Sequence, residues 1–307
     1  MRFSTLASCL AAFAVSTNAR WPFYNVVLTN DDGWAVAMIR AQNEALKAAG
    51  YDVVLSCPSQ NESGTGSTTA APTVLNITCE YDTCAVGSPP EGFNASDPRL
   101  NYVNAYPVDS IRYGIQTLAP KFFGAKPEFV VSGPNVGNNL GSAVTGSGTV
   151  GAACEAAKEG IPSVAFSGDT LQQISYTTLE SEPTSQYTQA AEIYSQLTVK
   201  FTRALLALPG TILPTGISVN VNYPSITNCT SVDDYKFVLT RITEDADATD
   251  VFQCGSVHLP QETGVVRGEG CYASVSVFDA NTKADVDAGT QAFVRDKLFG
   301  LLTCYDG

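Results

Sequence analysis

The sequence predicts an α/β fold: a doubly wound, mostly parallel sheet with a C-terminal extension of antiparallel strands and helices. Within the first 170 residues, short apolar runs of strand length alternate with helical patterns. These runs are continuously apolar, as expected for parallel strands that are covered on both faces. After residue 170, the sequence instead shows one long helical pattern followed by strand-length runs in which apolar and polar residues alternate.

Four apolar runs predict the parallel strands of the core. They are residues 26–28, 53–55, 129–131 and 164–166. Between the first two runs, apolar residues at helical spacing predict a helix that ends at Gly50, which can adopt the left-handed conformation. A strand, a helix and a second strand in this order form a βαβ unit.

The chain divides into three predicted segments. Residues 1–19 resemble a signal peptide, because Arg2 precedes an apolar run and Thr17-Asn18-Ala19 forms a small-residue cleavage site. Residues 20–170 form the catalytic core, with an insertion at about 66–105 that is rich in Thr, Pro, Asn and Ser. Residues 171–307 complete the fold with helices and strands. Their predicted elements are helices over 184–208 and about 290–302, and strands over 217–223, 235–243 and 272–278.

A signal peptide implies a secreted, extracellular protein and an oxidising compartment. Nine cysteines occur, and eight of them follow the leader, which allows four disulfides. We expect Cys79 to pair with Cys84 and Cys254 with Cys271, and we leave Cys57 and Cys154 unassigned. We also expect the disulfides to lie far from any catalytic centre. Sequons at Asn61, Asn76, Asn94 and Asn228 suit a glycoprotein.

The formal net charge of −13 restricts the partners of the chain. Such an acidic surface repels polyanions, which excludes duplex nucleic acid and an anionic membrane surface. After the leader, no apolar run is long enough to span a bilayer, so we expect no membrane partner. A small anionic substrate remains compatible if a metal ion neutralises it locally.

Polar, glycine-containing loops follow the predicted strands. They are Asn30-Asp31-Asp32-Gly33, residues 57–67, residues 132–141, and the GSGTVG segment at 146–151. Ligands bind outside the carboxyl ends of parallel strands, so these loops are expected to meet at one crevice. None of them contains histidine or lysine.

The adjacent carboxylates of Asp31 and Asp32 predict a divalent cation between them. Oxygen donors from Asp, Ser and Asn favour Mg²⁺ or Mn²⁺, and Ca²⁺ is compatible. Zinc is disfavoured because the chain has no CxxC motif and His258 is its single histidine. The alternative is that the two aspartates cap the following helix. One aspartate would suffice for a cap, so we favour the cation.

The GSGTVG segment fits a GxGxxG pattern but does not indicate a dinucleotide site. It follows no apolar strand, and it does not lie in the first βα turn of the fold. Two interpretations remain open. A phosphate could bind the amides of a helix that begins at Ser147, or Gly148 and Gly151 could permit close packing of that helix.

Several motifs in order resemble the SurE family of metal-dependent phosphatases and nucleotidases. They are VVLTNDDG, VVLSCPSQNESGTG, AYPVDSIRYG, PEFVVSGPNVGNNLG and SGTVGAACEAAKEGIPSVAFS, and they cover most of residues 24–170. The resemblance implies a Rossmann-like core and hydrolysis of phosphate monoesters, including nucleoside monophosphates. It also implies homo-oligomers formed by exchange of a C-terminal hairpin.

The resemblance further implies the functional residues. By the resemblance, the metal ligands are Asp31, Asp32, Ser63 and Asn135. We further expect both aspartates to be catalytic, with Asp31 orienting or deprotonating the attacking water. The resemblance places the phosphate-contacting helix start at Ser147, Gly148 and Thr149, and we also expect Asn30 and Gly64 to bind substrate. The arginine-bearing DRNRSG loop of the family is SQNESG here, with acidic Glu62 and a sequon. We therefore expect a metal-dependent phosphomonoesterase of the acid phosphatase or 5′/3′-nucleotidase type. The alternative is a catalytically weak secreted protein that binds nucleotides or acts as an effector.

Overall fold

A ten-stranded sheet forms the centre of the part of the chain that the computed structural model describes, residues 24–170 and 172–307. The predicted signal peptide lies outside these residues. The strands are β1 (Asn25–Thr29), β2 (Asp52–Pro58), β3 (Glu91–Asn94), β4 (Asp97–Val103), β5 (Phe129–Val136), β6 (Ser163–Gly168), β7 (Ile217–Tyr223), β8 (Lys236–Thr240), β9 (Tyr272–Asp279) and β10 (Leu302–Thr303).

Helices connect these strands and cover both faces of the sheet. They are α1 (Ala37–Ala48), α2 (Pro107–Tyr113), α3 (Ala119–Phe123), α4 (Ala143–Gly146), α5 (Gly148–Lys158), α6 (Thr178–Ser181), α7 (Gln186–Leu206), α8 (Glu262–Arg267) and α9 (Ala288–Lys297). A π-helical turn, Gly114–Leu118, joins α2 to α3. Among residues 24–170 and 172–307, no helix is both long and apolar enough to cross a membrane.

The strand order is β10-β8-β9-β7-β6-β5-β1-β2-β4-β3. The strands from β4 across β2, β1, β5 and β6 to β7 are parallel, whereas β3 pairs with β4 and β9 with β7 in antiparallel fashion. The predicted α/β fold is therefore confirmed. Because β1 lies between β2 and β5, the strand order reverses there, and the carboxyl ends of these strands share one edge.

Strand β1 shows why the core strands are continuously apolar. Val26 and Leu28 face the side of the sheet covered by α1 and α7. Val27 faces the opposite side, where it packs with Ile111 of α2 and Ala152 of α5. All five side chains are completely buried. Both faces of the strand thus require apolar residues.

The C-terminal strands extend the same sheet. The predicted helix over 184–208 corresponds to α7, and the three predicted strands correspond to β7, β8 and β9. Of the pairings in this part, β7 with β9 is antiparallel, whereas β6 with β7, β8 with β9, and β10 with β8 are parallel. The insertion contributes β3 and β4 at the other edge. A domain boundary near residue 170 stays a prediction.

Three disulfides link the described residues: Cys79–Cys84, Cys229–Cys271 and Cys254–Cys304. The first pairing is confirmed. The predicted pairing of Cys254 with Cys271 is wrong. Cys271 pairs with Cys229 in the loop that follows β7, and Cys254 pairs with Cys304 in the segment that follows β10. Cys57 and Cys154 are buried free thiols.

Candidate active site

The two aspartates lie in a buried turn at the carboxyl end of β1, where Asp31 is 2% and Asp32 0% exposed. Asn30 closes this turn, since its Oδ1 accepts from the Gly33 amide at 3.3 Å and its Nδ2 donates to the Gly33 carbonyl at 3.0 Å. Gly33 has φ of +112°, and a Cβ there would collide with the Glu80 carboxylate. Both polar ends of the Asn30 side chain are therefore used inside the turn, and its predicted substrate contact stays a prediction.

The aspartates do not cap the helix that follows them. Helix α1 begins at Ala37, and its N-cap residue is Val36, which makes no side-chain capping bond. The amide of Ala37 donates instead to the carbonyl of Ile174 at 2.8 Å. The capping alternative is therefore wrong, and the two carboxylates are directed at other segments.

Asp31 faces the first turn of α5. Its Oδ2 accepts from the Thr149 amide at 2.9 Å, and its Oδ1 accepts from the Thr149 hydroxyl at 2.5 Å. A Cβ on Gly148 would lie 2.8 Å from the Asp31 Cβ, so glycine permits this approach. Ser147 is the N-cap of α5, and its Oγ accepts from the Val150 amide at 3.1 Å.

These contacts support close packing as the role of Gly148 and Gly151 in the GSGTVG segment. Gly151 behaves like Gly148, because a Cβ there would collide with the Gly66 carbonyl. The amides of Thr149 and Val150 already have acceptors within the protein. The predicted phosphate contacts of Ser147, Gly148 and Thr149 stay predictions.

Two distant segments hold Asp32. Its Oδ2 accepts from the Val136 amide at 2.8 Å, and its Oδ1 accepts from Gln173 Nε2 at 2.5 Å. Asn135 directly precedes Val136, the donor of the first bond. Asn135 Nδ2 donates to the Gly137 carbonyl at 2.7 Å, whereas its buried Oδ1 has no hydrogen-bond donor among the described residues.

The loop that carries Ser63 is anchored to the same turn. The Glu62 amide donates to the Asp31 carbonyl at 2.7 Å, and the Gly66 amide donates to the Gly146 carbonyl at 2.9 Å. Ser63 and Gly64 are exposed between these two anchors. Ser63 is thus adjacent to a residue bonded to Asp31, and the ligand role of Ser63 and the substrate role of Gly64 stay predictions.

The aspartate pair is buried without a positive partner in the described part of the chain. No lysine or arginine there forms an ion pair with either carboxylate. Burial raises the pKa of Asp31, and burial together with the negative charge of Asp31 raises the pKa of Asp32 well above its usual range. Glu80, when ionised, raises the pKa of Asp32 further, and burial raises the pKa of Glu80 itself to about 8. Such a site attracts a cation.

Sequence similarity to known proteins assigns the family, since the family model described as Survival protein SurE matches residues 26–248. The chain belongs to the SurE family. The acid phosphatase of Yarrowia lipolytica is 32% identical to this SurE protein, with 92% of each chain covered. The 5′-nucleotidase SurE of Gloeobacter violaceus is 33% identical over 66% of this chain and 64% of its own length. The crystal structure of the SurE protein from Aquifex aeolicus superposes with a TM-score of 0.57 and 25% identity, covering 89% of this chain and 98% of that one.

The donors present in this SurE protein fit a hard cation. Asp31, Asp32 and Asn135 offer carboxylate and amide oxygens, and the buried Asn135 Oδ1 has no hydrogen-bond donor among the described residues. Mg²⁺ and Mn²⁺ prefer such oxygen ligands. In residues 24–170 and 172–307, no three side chains of His, Cys, Asp or Glu converge as a metal site.

Two residues at this site of the SurE protein were not among the predicted site residues. Gln173 lies just beyond the predicted core, and Glu80 lies inside the predicted insertion. Glu80 reaches the site because the Cys79–Cys84 disulfide closes the short loop that contains it, and its amide donates to the Ser59 carbonyl at 3.1 Å. The expectation that every disulfide lies far from the site is therefore wrong for this one. In the sequence, the acidic residues between the two cysteines of CEYDTC are the feature that could have indicated this contact.

Proposed function

We propose that this SurE family member is a divalent-cation-dependent hydrolase that acts on small phosphate monoesters. Its family membership and its similarity to an acid phosphatase and to 5′-nucleotidases support this reaction class. One observation carries the cation dependence. The buried Asp31 and Asp32 pair has no ion-pair partner among the described residues. Asn135, whose buried Oδ1 lacks a donor there, directly precedes Val136, whose amide binds Asp32.

Asp31, Asp32, Ser63 and Asn135 would hold the cation, and Mg²⁺ or Mn²⁺ suits this donor set best. When bound, the cation supplies Lewis acidity toward the phosphoryl oxygens. Hydrolysis forms a bond from a water oxygen to phosphorus and breaks the bond to the leaving alcohol, which receives a proton. Asp31 is the residue that orients or deprotonates the water, because two hydrogen bonds from Thr149 fix its carboxylate. Attack by Asp31 itself, through an aspartyl phosphate, is the alternative route.

The substrate class follows from charge and from the composition of the loops. The chain carries a net charge of −13, and the SQNESG loop lacks the arginines of the family pattern. A small substrate with one phosphate, such as a nucleoside monophosphate, suits this site better than a polyanion. Extracellular location and a homo-oligomer built through the C-terminal hairpin belong to the same proposal.

Hydrolysis of p-nitrophenyl phosphate and of AMP by the purified protein tests the function. We expect activity to disappear on treatment with EDTA and to return with Mg²⁺ or Mn²⁺. Asp31→Asn keeps the shape of the side chain but removes a charge, so turnover is expected to fall by at least ~10²-fold while the circular dichroism spectrum stays unchanged. Asp233→Asn, at an exposed position in the C-terminal part, is the matched control.

Full activity after exhaustive chelation, or wild-type turnover of Asp31→Asn, would overturn the proposal. Nucleotide binding without turnover would identify the chain as a catalytically weak binding protein on the same fold. Equilibrium dialysis with AMP separates this outcome from a complete loss of function.

A further inference from the structure

One side chain, Gln173, joins two loops of the site. Its Nε2 donates to Asp32 Oδ1 at 2.5 Å, and its Oε1 accepts from Asn61 Nδ2 at 3.0 Å. These partners lie 141 and 112 residues away in the chain. Gln173 therefore connects the end of β1 with the loop that carries Ser63.

The donors and acceptors of these hydrogen bonds follow one direction, from Ser63 towards Asp32. With a cation bound, Asp32 is ionised and its carboxylate can only accept, so it requires the amide nitrogen of Gln173. The oxygen of Gln173 is then left to accept from Asn61. The oxygen of Asn61 accepts in turn from the Ser63 amide at 2.8 Å. Three consecutive hydrogen bonds thus link Asp32 to the backbone of Ser63. Both residues are predicted metal ligands.

The backbone next to Gln173 is fixed to the segment that follows Asp32. The Ala37 amide donates to the Ile174 carbonyl at 2.8 Å, and the Tyr176 amide donates to the Ala35 carbonyl at 2.9 Å. Val36 and Ser175 form an antiparallel β-bridge. These main-chain bonds hold the segment directly after Gln173 against residues 35–37, so the Gln173 side chain lies within reach of the site.

We infer that Gln173 is a positioning residue for the cation site: it fixes the Asp32 carboxylate and, through Asn61, the loop that presents Ser63. This inference rests on the proposed function, because it takes the divalent cation as the ligand of that site. Gln173 acts through Asp32 and Asn61 and is not itself assigned to the reacting atoms. Residues that orient metal ligands in this way commonly change metal affinity by 10–100-fold when they are replaced.

Calorimetric titration of the chelator-stripped protein with Mn²⁺, without substrate, measures this effect. We expect Gln173→Ala to weaken Mn²⁺ binding by about tenfold or more. The value of kcat at saturating Mn²⁺ is expected to change much less, because the reacting groups remain. Gln172→Ala is the matched control, since it removes an exposed neighbouring glutamine and is expected to bind Mn²⁺ like the wild type.

Two further variants keep the inference testable if Gln173→Ala is poorly folded. Gln173→Glu places a third carboxylate against Asp32, so we expect a lower melting temperature without metal and a larger rise on adding Mn²⁺. Asn61→Ala, alone and combined with Gln173→Ala, completes a double-mutant cycle. The hydrogen-bond chain predicts that the combined loss of affinity is smaller than the sum of the single losses.

Wild-type Mn²⁺ affinity of Gln173→Ala, together with an unchanged melting shift of Gln173→Glu, would overturn the role of Gln173 while leaving the proposed function standing. Mn²⁺ binding by the wild type without turnover of any phosphate monoester would overturn the function and leave the positioning role measurable. Absence of Mn²⁺ binding by both the wild type and Gln172→Ala would overturn both.

Discussion

Asp31 and Thr149 lie 118 residues apart in the chain and share two hydrogen bonds. At the scale of single residues, Gly148 permits this contact, because any larger side chain would press against Asp31. Gly146, two residues earlier in the same motif, has open space where a Cβ would be placed. One short motif thus contains a glycine required by close approach and a glycine that has room for a side chain.

This difference predicts that Gly148→Ala lowers activity strongly while Gly146→Ala does not. The added methyl group at 148 would lie 2.8 Å from the Asp31 Cβ and 2.9 Å from its Oδ2, so the carboxylate must move. We expect a loss of more than about tenfold in kcat/KM and a stability cost of about 1–3 kcal/mol, which is typical of overpacking. Steady-state kinetics and urea unfolding of both variants provide the measurement. Equal effects of the two substitutions would contradict the packing argument.

The residues at the carboxyl ends of the core strands could be predicted from the sequence, whereas those that reach the site from elsewhere could not. Asp31, Asp32 and Asn135 could be predicted together because parallel strands end at one edge. Gln173 reaches Asp32 only through main-chain bonds between residues 35–37 and 174–176, which no local pattern in the sequence encodes. The capping alternative failed for a similar reason: α1 begins at Ala37, too late for either aspartate to be its N-cap.

At the scale of elements, the small turn closed by Cys79–Cys84 belongs to the site. It packs Glu80 against Gly33, and it receives a hydrogen bond from Trp34 Nε1 to Thr83 Oγ1 at 3.0 Å. The other two disulfides link elements of the C-terminal part. Spacing alone favoured the short pairing within CEYDTC. The pairings of Cys229 and Cys304 depend on which loops the ten-stranded sheet brings together, so spacing could not predict them.

Removal of the short-loop disulfide Cys79–Cys84 and of the long-loop disulfide Cys229–Cys271 is predicted to have opposite relative effects on stability and activity. Cys79 and Cys84 are separated by 5 residues and Cys229 and Cys271 by 42. In the chain-entropy description, the short loop contributes about 2 kcal/mol and the long one about 4 kcal/mol. We expect the double serine variant of the short pair to lose less stability but more activity, because Glu80 and Trp34 lose their support.

Melting temperatures and kcat/KM of the two double variants check this prediction. The Cys229→Ser/Cys271→Ser variant serves as the control for a disulfide outside the site. An unchanged kcat/KM in the Cys79→Ser/Cys84→Ser variant would contradict the assignment of this turn to the site.

At the scale of the whole molecule, the C-terminal part is joined to the site through the sheet. The motif resemblance covers most of residues 24–170, whereas the family model extends to residue 248, which includes β7 and β8. Strand β7 pairs with β6, so the sheet runs without interruption across the predicted boundary. The alternating pattern after residue 170 indicated strands, but it did not reveal that β7 continues the parallel sheet, because alternation does not specify the partner strand.

Glu262 makes this connection with a buried carboxylate. Its Oε1 accepts from the Gly141 amide at 2.7 Å, in the loop that follows Asn135. Its Oε2 accepts from Ser276 Oγ of β9 at 2.8 Å and from Asn220 Nδ2 of β7 at 3.1 Å. Glu262 is 0% exposed, and burial raises its pKa to about 7.

This carboxylate predicts a loss of stability as the pH rises. The folded-state pKa of about 7 lies above the ordinary value of 4.5, so the folded protein binds the proton more tightly than the unfolded chain. The stabilisation is fully present below the unfolded-state pKa and is lost as the pH rises through the folded-state pKa. Since one pKa unit corresponds to 1.36 kcal/mol, the total is about 3 kcal/mol.

Glu262→Gln is neutral at every pH, so we expect it to match the wild type near pH 4 and to exceed its free energy of unfolding by up to about 3 kcal/mol at pH 8. Urea unfolding across this range measures the difference, and Glu269→Gln, at an exposed position, is the matched control. Parallel pH profiles for the wild type and Glu262→Gln would show that Glu262 is ionised at no cost to the fold.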